Sequence, residues 1–166
     1  MKYDAIVIGS GPAGMAKGVE LCREGLKCLM VGKGVSVYGF APEEFLALGG
    51  ELLKGDEVVS ASVEGNEVKA VFTANLEGTP LCADRYYLAT GKFFAGGLKS
   101  DMNRVYEPIF GIDVDYIPDS SAWFSERFAD DQPFMHFAVK TTEEGQAVKE
   151  GNVITNLFPI GEIIEK

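Results

Sequence analysis

Apolar residues in this chain occur mainly as short unbroken runs and as alternating stretches. Ala5-Ile6-Val7-Ile8 is continuous and stops at a glycine. Such a run suits a strand buried on both faces, as in a parallel sheet covered by helices, and it predicts a strand over 3–8. From Pro12 the spacing turns helical. Met15, Val19, Leu21 and Cys22 gather on one side of a helix over 12–24. Pro12 opens that helix where a missing N–H costs nothing, and Gly25 closes it. Residues 26–31 form a second strand, so the first three elements make a βαβ unit. Residues 35–41 read as loop and 42–48 as a short helix, with Glu43 and Glu44 in its first turn and Gly49 as its cap. Residues 51–54 read as a third strand, reached by a crossover just long enough to return to the sheet.

Alternation then takes over. Residues 58–64 and 67–74 flank Gly65-Asn66, which predicts a hairpin. Residues 81–86 extend it to a three-stranded meander, and Tyr87-Leu88-Ala89 returns the chain to the parallel sheet. Between 93 and 137 the chain is rich in aromatic residues, glycine and proline, with turns at Gly96-Gly97, Glu107-Pro108 and Ile117-Pro118. Residues 134–140 and 156–160 are further strands. The last ends at Gly161-Glu162, where a helix should start but has no room to form. The expectation is one α/β domain over 1–166 of Rossmann-like topology, with a central parallel sheet and an antiparallel three-stranded meander.

A length of 166 residues suits one domain with a real core. The formal net charge of −10 lacks the basic footprint of a nucleic-acid partner or of polybasic membrane contact. Three cysteines with no C-x-x-C pair point to a reducing compartment and free thiols rather than disulfides or zinc. The opening apolar run is too short for a signal-peptide core or a membrane span. The expected location is the cytoplasm, with peripheral membrane attachment only through a partner.

The chemistry concentrates at strand ends. Gly9-Ser10-Gly11-Pro12-Ala13-Gly14 has the G-x-G-x-x-G spacing between a strand and a helix. Gly9 permits the tight turn, Gly11 lets a pyrophosphate approach the backbone, and Gly14 lets the helix pack on the sheet. The unpaired N–H groups of the helix's first turn face the anion. Thr90-Gly91 and Gly161-Glu162 supply two more strand-end turns. Ligands of open α/β sheets lie beyond the carboxyl ends of the strands, so the three turns would converge on one elongated ligand, a flavin dinucleotide. An acid is expected after the second strand to hold a ribose hydroxyl. Val31-Gly32-Lys33-Gly34 has none. Lys33 is the nearest charge, read either as a phosphate contact or as a solvated loop residue. The pyrophosphate turn favours FAD, and the missing acid leaves FMN open.

This set resembles the two-dinucleotide-binding-domain flavoproteins. Narrower matches follow in Lys54-Gly55-Asp56-Glu57-Val58, Ala89-Thr90-Gly91-Lys92-Phe93-Phe94-Ala95-Gly96-Gly97-Leu98, Glu107-Pro108-Ile109-Phe110-Gly111-Ile112-Asp113-Val114 and Asn156-Leu157-Phe158-Pro159-Ile160-Gly161-Glu162. In that order and spacing they resemble the B subunit family of anaerobic glycerol-3-phosphate dehydrogenase, which the missing acid also fits. The resemblance implies FAD held by Gly9, Ser10, Gly11, Pro12, Ala13, Gly14, Thr90, Gly91 and Gly161. Glu162 stands where the wider family has Asp, on the ribityl chain. It further implies a respiratory complex that oxidises glycerol 3-phosphate to dihydroxyacetone phosphate and passes electrons to quinone, with a catalytic FAD subunit and an iron–sulfur subunit at the membrane as partners. It assigns no catalytic base here. Family members are far longer. An inserted domain is expected to be missing near 37–42, and a glycine-rich helix after Glu162. The chain thus reads as an abridged form, a deliberately shortened one being favoured over a natural relic, and is expected to lack turnover alone. Two other readings are a cofactor-free structural or subunit-contact module, and a nicotinamide-binding module.

The remaining chemistry-bearing residues read as structural. His136 is assigned to a strand face without a fixed carboxylate, and Cys22 and Cys28 to the core. Arg104 and Glu107 read as a surface pair. Phe93 and Phe94 could be core residues or walls of a flavin site, and Tyr116, Trp123, Phe124 and Phe128 core residues or an interface.

Overall fold

The computed structural model describes residues 2–33 and 42–166. The loop expected over 35–41, and most of the position 37–42 assigned to a missing insertion, lie outside the described residues.

The chain begins with β1 (Lys2–Ile8), α1 (Pro12–Arg23), β2 (Cys28–Gly32), α2 (Glu43–Ala47) and β3 (Glu51–Lys54). A hairpin follows, β4 (Val58–Glu64) and β5 (Glu67–Thr73), and then β6 (Cys82–Leu88). Short ladders complete the chain: β7 (Lys99–Ser100) with β8 (Val105–Tyr106), β9 (Val114–Asp115) with β10 (Ala138–Val139), and β11 (Ala147–Lys149) with β12 (Asn152–Ile154). The last strand is β13 (Leu157–Pro159).

The central sheet has five strands in the order β13-β6-β1-β2-β3, with every pairing parallel. The continuous apolar run of β1 is explained by burial on both faces. Ala5 and Val7 join Met15, Leu21, Met30 and Phe45 on the side covered by α1 and α2. Ile6 and Ile8 join Leu29, Val31, Val58, Val71, Tyr86 and Leu88 on the opposite side, against the hairpin. On the helical side Phe45 fills space left by two glycines: a Cβ on Gly50 would come within 2.4 Å of its ring, and one on Gly18 within 3.0 Å.

The register sets the level of the strand ends. Ile8 pairs with Val31 and with Leu88, and Leu88 with Pro159, so Gly9, Gly32, Ala89 and Ile160 all emerge at one edge. The chain builds outward from β1 through β2 to β3, then crosses to β6 and β13. The strand order therefore reverses at β1, and its end is the topological switch point where such sheets bind ligands.

Several expectations are corrected. Residues 82–88 form one strand of the parallel sheet, and the antiparallel unit is the β4–β5 hairpin, joined to the start of that segment by the antiparallel Val71–Leu81 bridge, so the expected meander holds in part. The polar Asp84 and Arg85 interrupt the apolar signal midway along β6, but backbone pairing to β1 runs through them. Residues 134–140 are not one strand: Pro133–His136 is a 3₁₀ turn, and only Ala138–Val139 pairs, with β9. After β13 the chain makes a single 3₁₀ turn, Gly161–Ile164.

Candidate functional site

Along the carboxyl edge of the sheet runs a cleft of about 970 Å³, lined by residues from every strand end of the sheet: 160–162, 89–92, 9–13, 32–33 and 56–59. The strand order makes this a linear series. The Gly161-Glu162 turn is at one end, Thr90-Gly91 comes next, the Gly9–Gly11 turn is central, and Lys33 with the 56–59 segment is at the other end.

The central turn is built by close approach. Gly9 has φ 111°, and a Cβ there would lie 2.2 Å from the Ala89 carbonyl oxygen. A Cβ on Gly14 would lie 2.0 Å from the Gly9 carbonyl oxygen. Gly14 therefore does not line the cleft; it seats α1 against the turn behind it. Gly11 is different: nothing lies within 4 Å of the position its Cβ would take. It caps α1 without a side-chain hydrogen bond, no acid occupies the first helical turn, and the helix's own bonding begins with the Met15 N–H on the Gly11 carbonyl at 2.9 Å. The N–H groups of Ala13 and Gly14 precede that first bond, so the positive end of the helix dipole faces the cleft uncapped.

Beside this turn, the Thr90 hydroxyl is the one buried side-chain oxygen or nitrogen among the described residues with no hydrogen-bond partner. A buried hydroxyl without a partner costs about 1–3 kcal/mol. Gly91, at φ 72°, turns the chain after it. Gly161, at φ 78°, sits so close to α1 that a Cβ would meet the Ala13 methyl at 2.6 Å. That contact joins the last turn to the first. Glu162 is exposed on the cleft beside Gly91.

At the opposite end the Lys33 Nζ lies 2.9 Å from Glu57 Oε2. Asp56 is buried and its Oδ1 accepts from the N–H groups of Glu57 and Asn75, at 2.8 and 3.0 Å. Burial pushes its carboxyl up, but hydrogen bonds from Thr73, Asn75, Glu57 and Ala74 prevail and hold it below the usual aspartate value. The cleft's cations are Lys33, Lys92 and Lys99. Lys92 donates to the Met135 carbonyl at 2.8 Å and to the Glu165 carbonyl. Burial holds its ammonium below the ordinary lysine value, against the opposing charges of Glu165 and Glu162.

Ten of the eleven predicted site residues line this one cleft: Gly9, Ser10, Gly11, Pro12, Ala13, Lys33, Thr90, Gly91, Gly161 and Glu162. Sequence reasoning did not assign Asp56, Glu57 and Lys92 to the site. The signal for the first two was available, since Gly55 follows directly on the end of a parallel strand and must emerge at the same edge. Phe94 lines the mouth at 97% exposure, whereas Phe93 packs edge-on against Phe134 at 5.8 Å between ring centres.

Residues outside the cleft bring further corrections. His136 has a carboxylate beside it, Asp131 Oδ2 at 2.6 Å, on an exposed turn away from the cleft. Arg104 pairs with Asp101, not Glu107. Glu107 is only 1% exposed, and its carboxylate accepts the N–H groups of Ile109, Phe110 and Gly111 at 2.7, 2.8 and 3.0 Å. Burial pushes that carboxyl above its usual value against these bonds. Trp123 is core, whereas Phe124 and Phe128 are exposed. Cys22 and Cys28 are buried free thiols, as read from the sequence. Among the described residues no cluster could hold a metal ion, and no helix is long and apolar enough to cross a membrane.

A family model described as FAD binding domain matches residues 4–41 and 35–166. The B subunit of anaerobic glycerol-3-phosphate dehydrogenase from Haemophilus influenzae (strain ATCC 51907 / DSM 11121 / KW20 / Rd) is 36% identical over 126 residues, covering 73% of this chain and 29% of that protein. The corresponding B subunit from Vibrio cholerae serotype O1 is 34% identical over 133 residues, 79% of this chain and 30% of that protein. The chain thus spans under a third of the length of these curated relatives. Among solved structures, a bacillithiol disulfide reductase from Staphylococcus aureus aligns with a TM-score of 0.47 and 17% identity, over 63% of this chain and 42% of that one.

Proposed function

We propose, from the premise that this chain belongs to the FAD binding domain family, that it holds FAD along the cleft as the flavin domain of an oxidoreductase resembling the B subunit of anaerobic glycerol-3-phosphate dehydrogenase. One observation carries the reading. Three glycine-bearing strand ends line a single cleft, and the buried Thr90 hydroxyl between the outer two has no partner in the protein. The cleft fits the dinucleotide at its centre. The open face of Gly11 and the uncapped N–H groups of α1 would take the pyrophosphate. Thr90 would donate to or accept from the cofactor, and Glu162 would accept from the ribityl hydroxyls. Phe94, at the mouth, would shield one side of the ring system from water.

Bound flavin supplies hydride and electron transfer; the protein supplies binding, orientation and shielding. In the full-length relatives' setting, the reaction proposed is oxidation of glycerol 3-phosphate to dihydroxyacetone phosphate, with electrons leaving through the flavin to quinone. The partners proposed are a catalytic FAD subunit and an iron–sulfur subunit, which would bring this chain to the cytoplasmic membrane surface. The family match falls into two segments that meet at residues 35–41, and this supports an inserted domain missing there. Without that domain the chain is expected to bind flavin but not to turn over substrate.

The test is direct. Purified chain should carry flavin absorbance, or quench flavin fluorescence when apoprotein is titrated with FAD. A colourless protein that leaves FAD fluorescence unchanged would favour the cofactor-free module and sink the flavin reading.

A further inference from the structure

We infer that Glu57, steadied by Lys33, takes the ribose hydroxyls of the adenosine half of the cofactor, in place of the acid that β2 lacks. The inference rests on the flavin reading above and concerns the end of the cleft which that reading leaves without a recognition group.

An acid at Gly32, the last position of β2, is excluded by packing. A Cβ on Gly32 would lie 2.0 Å from Ser10 Oγ and 2.4 Å from Ser10 Cβ. The serine of the glycine turn therefore occupies the volume through which a side chain at 32 would leave the strand. No side chain fits at position 32 while Ser10 keeps this place.

The neighbouring strand end supplies a substitute. Gly55 and Asp56 donate their N–H groups to the Gly32 carbonyl at 2.8 and 3.4 Å, which binds the β3–β4 turn to the end of β2. Asp56 is consumed inside that turn, accepting from the Glu57 and Asn75 N–H groups, so it is not available to a ligand. Its bond to the Glu57 N–H fixes the backbone from which Glu57 projects. Glu57 lines the cleft, and its side chain is 47% exposed. Lys33 engages its Oε2. A carboxylate has about four acceptor positions, so a vicinal diol can still be bound by the rest. Lys33 opposes the repulsion that a second carboxylate near the pyrophosphate would otherwise create in a chain of net charge −10. The strand order places this pair beyond the central glycine turn, on the side away from Thr90 and Glu162. An extended dinucleotide with its flavin toward Glu162 would put its adenosine there.

The experiment compares FAD with FMN, which lacks the adenosine, by fluorescence quenching on purified chain. Circular dichroism of each variant checks that it folds. Glu57→Ala should raise the Kd for FAD roughly tenfold or more, the loss expected for a hydrogen bond to a charged group, and leave that for FMN unchanged. In the Glu57→Ala background, Gly32→Glu together with Ser10→Gly should recover FAD affinity, and Gly32→Glu alone should not. Unchanged FAD affinity in folded Glu57→Ala, or equal losses for FAD and FMN, would overturn the assignment while the flavin reading stands. A wild-type chain that binds neither flavin overturns both.

Discussion

The glycines of the first turn share a motif but not a task, and their substitutions should separate folding from binding. A methyl group at Gly14 would collide with the Gly9 carbonyl oxygen at 2.0 Å, and backbone cannot swing aside as a flexible side chain can. Gly14→Ala should therefore destabilise the domain by about 1–3 kcal/mol, read as a lower urea midpoint. A methyl at Gly11 meets no protein atom within 4 Å. Gly11→Ala should leave the urea midpoint within about 0.5 kcal/mol of the parent and weaken FAD binding about tenfold or more. Equal stability losses in the two variants would contradict this division. The spacing alone made both roles legible, because each glycine in it answers a separate steric demand. Glu107 was not legible. Its three N–H donors come from the backbone two to four residues later, and no side-chain pattern distinguishes that arrangement from a surface turn.

Among the elements, those with both faces buried were the easiest to read, since little besides two-sided burial produces an unbroken apolar run of strand length. β1 and β2 are of this kind, and so is the apolar end of β6. The errors fell where backbone pairing continues under polar side chains, as at Asp84 and Arg85, or where aromatic residues sit on 3₁₀ turns, as at Phe134. The β3–β4 turn was legible as a turn but not as part of the site, because the hydrogen bonds that hold it to Gly32 are between backbone groups. Its stability should depend on pH through Asp56. The carboxyl is held below its usual value in the fold, so above an unfolded aspartate's pKa of about 3.9 both states are ionised and the full contribution is present. As pH falls below that value the unfolded chain gains its proton first. The contribution shrinks, and it is gone once pH has passed through the lower folded value. The stability gap between wild type and Asp56→Asn should therefore hold steady above about pH 5 and shrink as pH falls below an unfolded aspartate's pKa in urea titrations. A gap that widens with acid would show that the carboxyl is not depressed.

For the molecule as a whole, the cleft is assembled from segments far apart in sequence, and only the parallel register brings them level. Thr90 and Glu162 follow strands that pair successively outward from β1, and the 56–59 segment follows the far edge strand, so one ligand spanning the cleft touches all five strand ends. Binding of that kind should stabilise the sheet cooperatively. At an FAD concentration about 100-fold above Kd, linkage adds about 2.7 kcal/mol, which for a chain of 166 residues raises Tm by roughly 5–10 °C. Hydrogen exchange should show where the gain lies. Amides at Gly11, Ala13, Thr90, Gly91 and Gly161 should slow together, because each lies on the same cleft. The β11–β12 ladder lies in a separate two-stranded sheet away from the cleft and should slow only as far as global unfolding does. FMN reaches only part of the cleft, so it should protect the Thr90 and Gly161 turns without slowing Glu57 and Val58. Protection confined to one strand end with FAD would mean that the turns, although level, do not act on a common ligand.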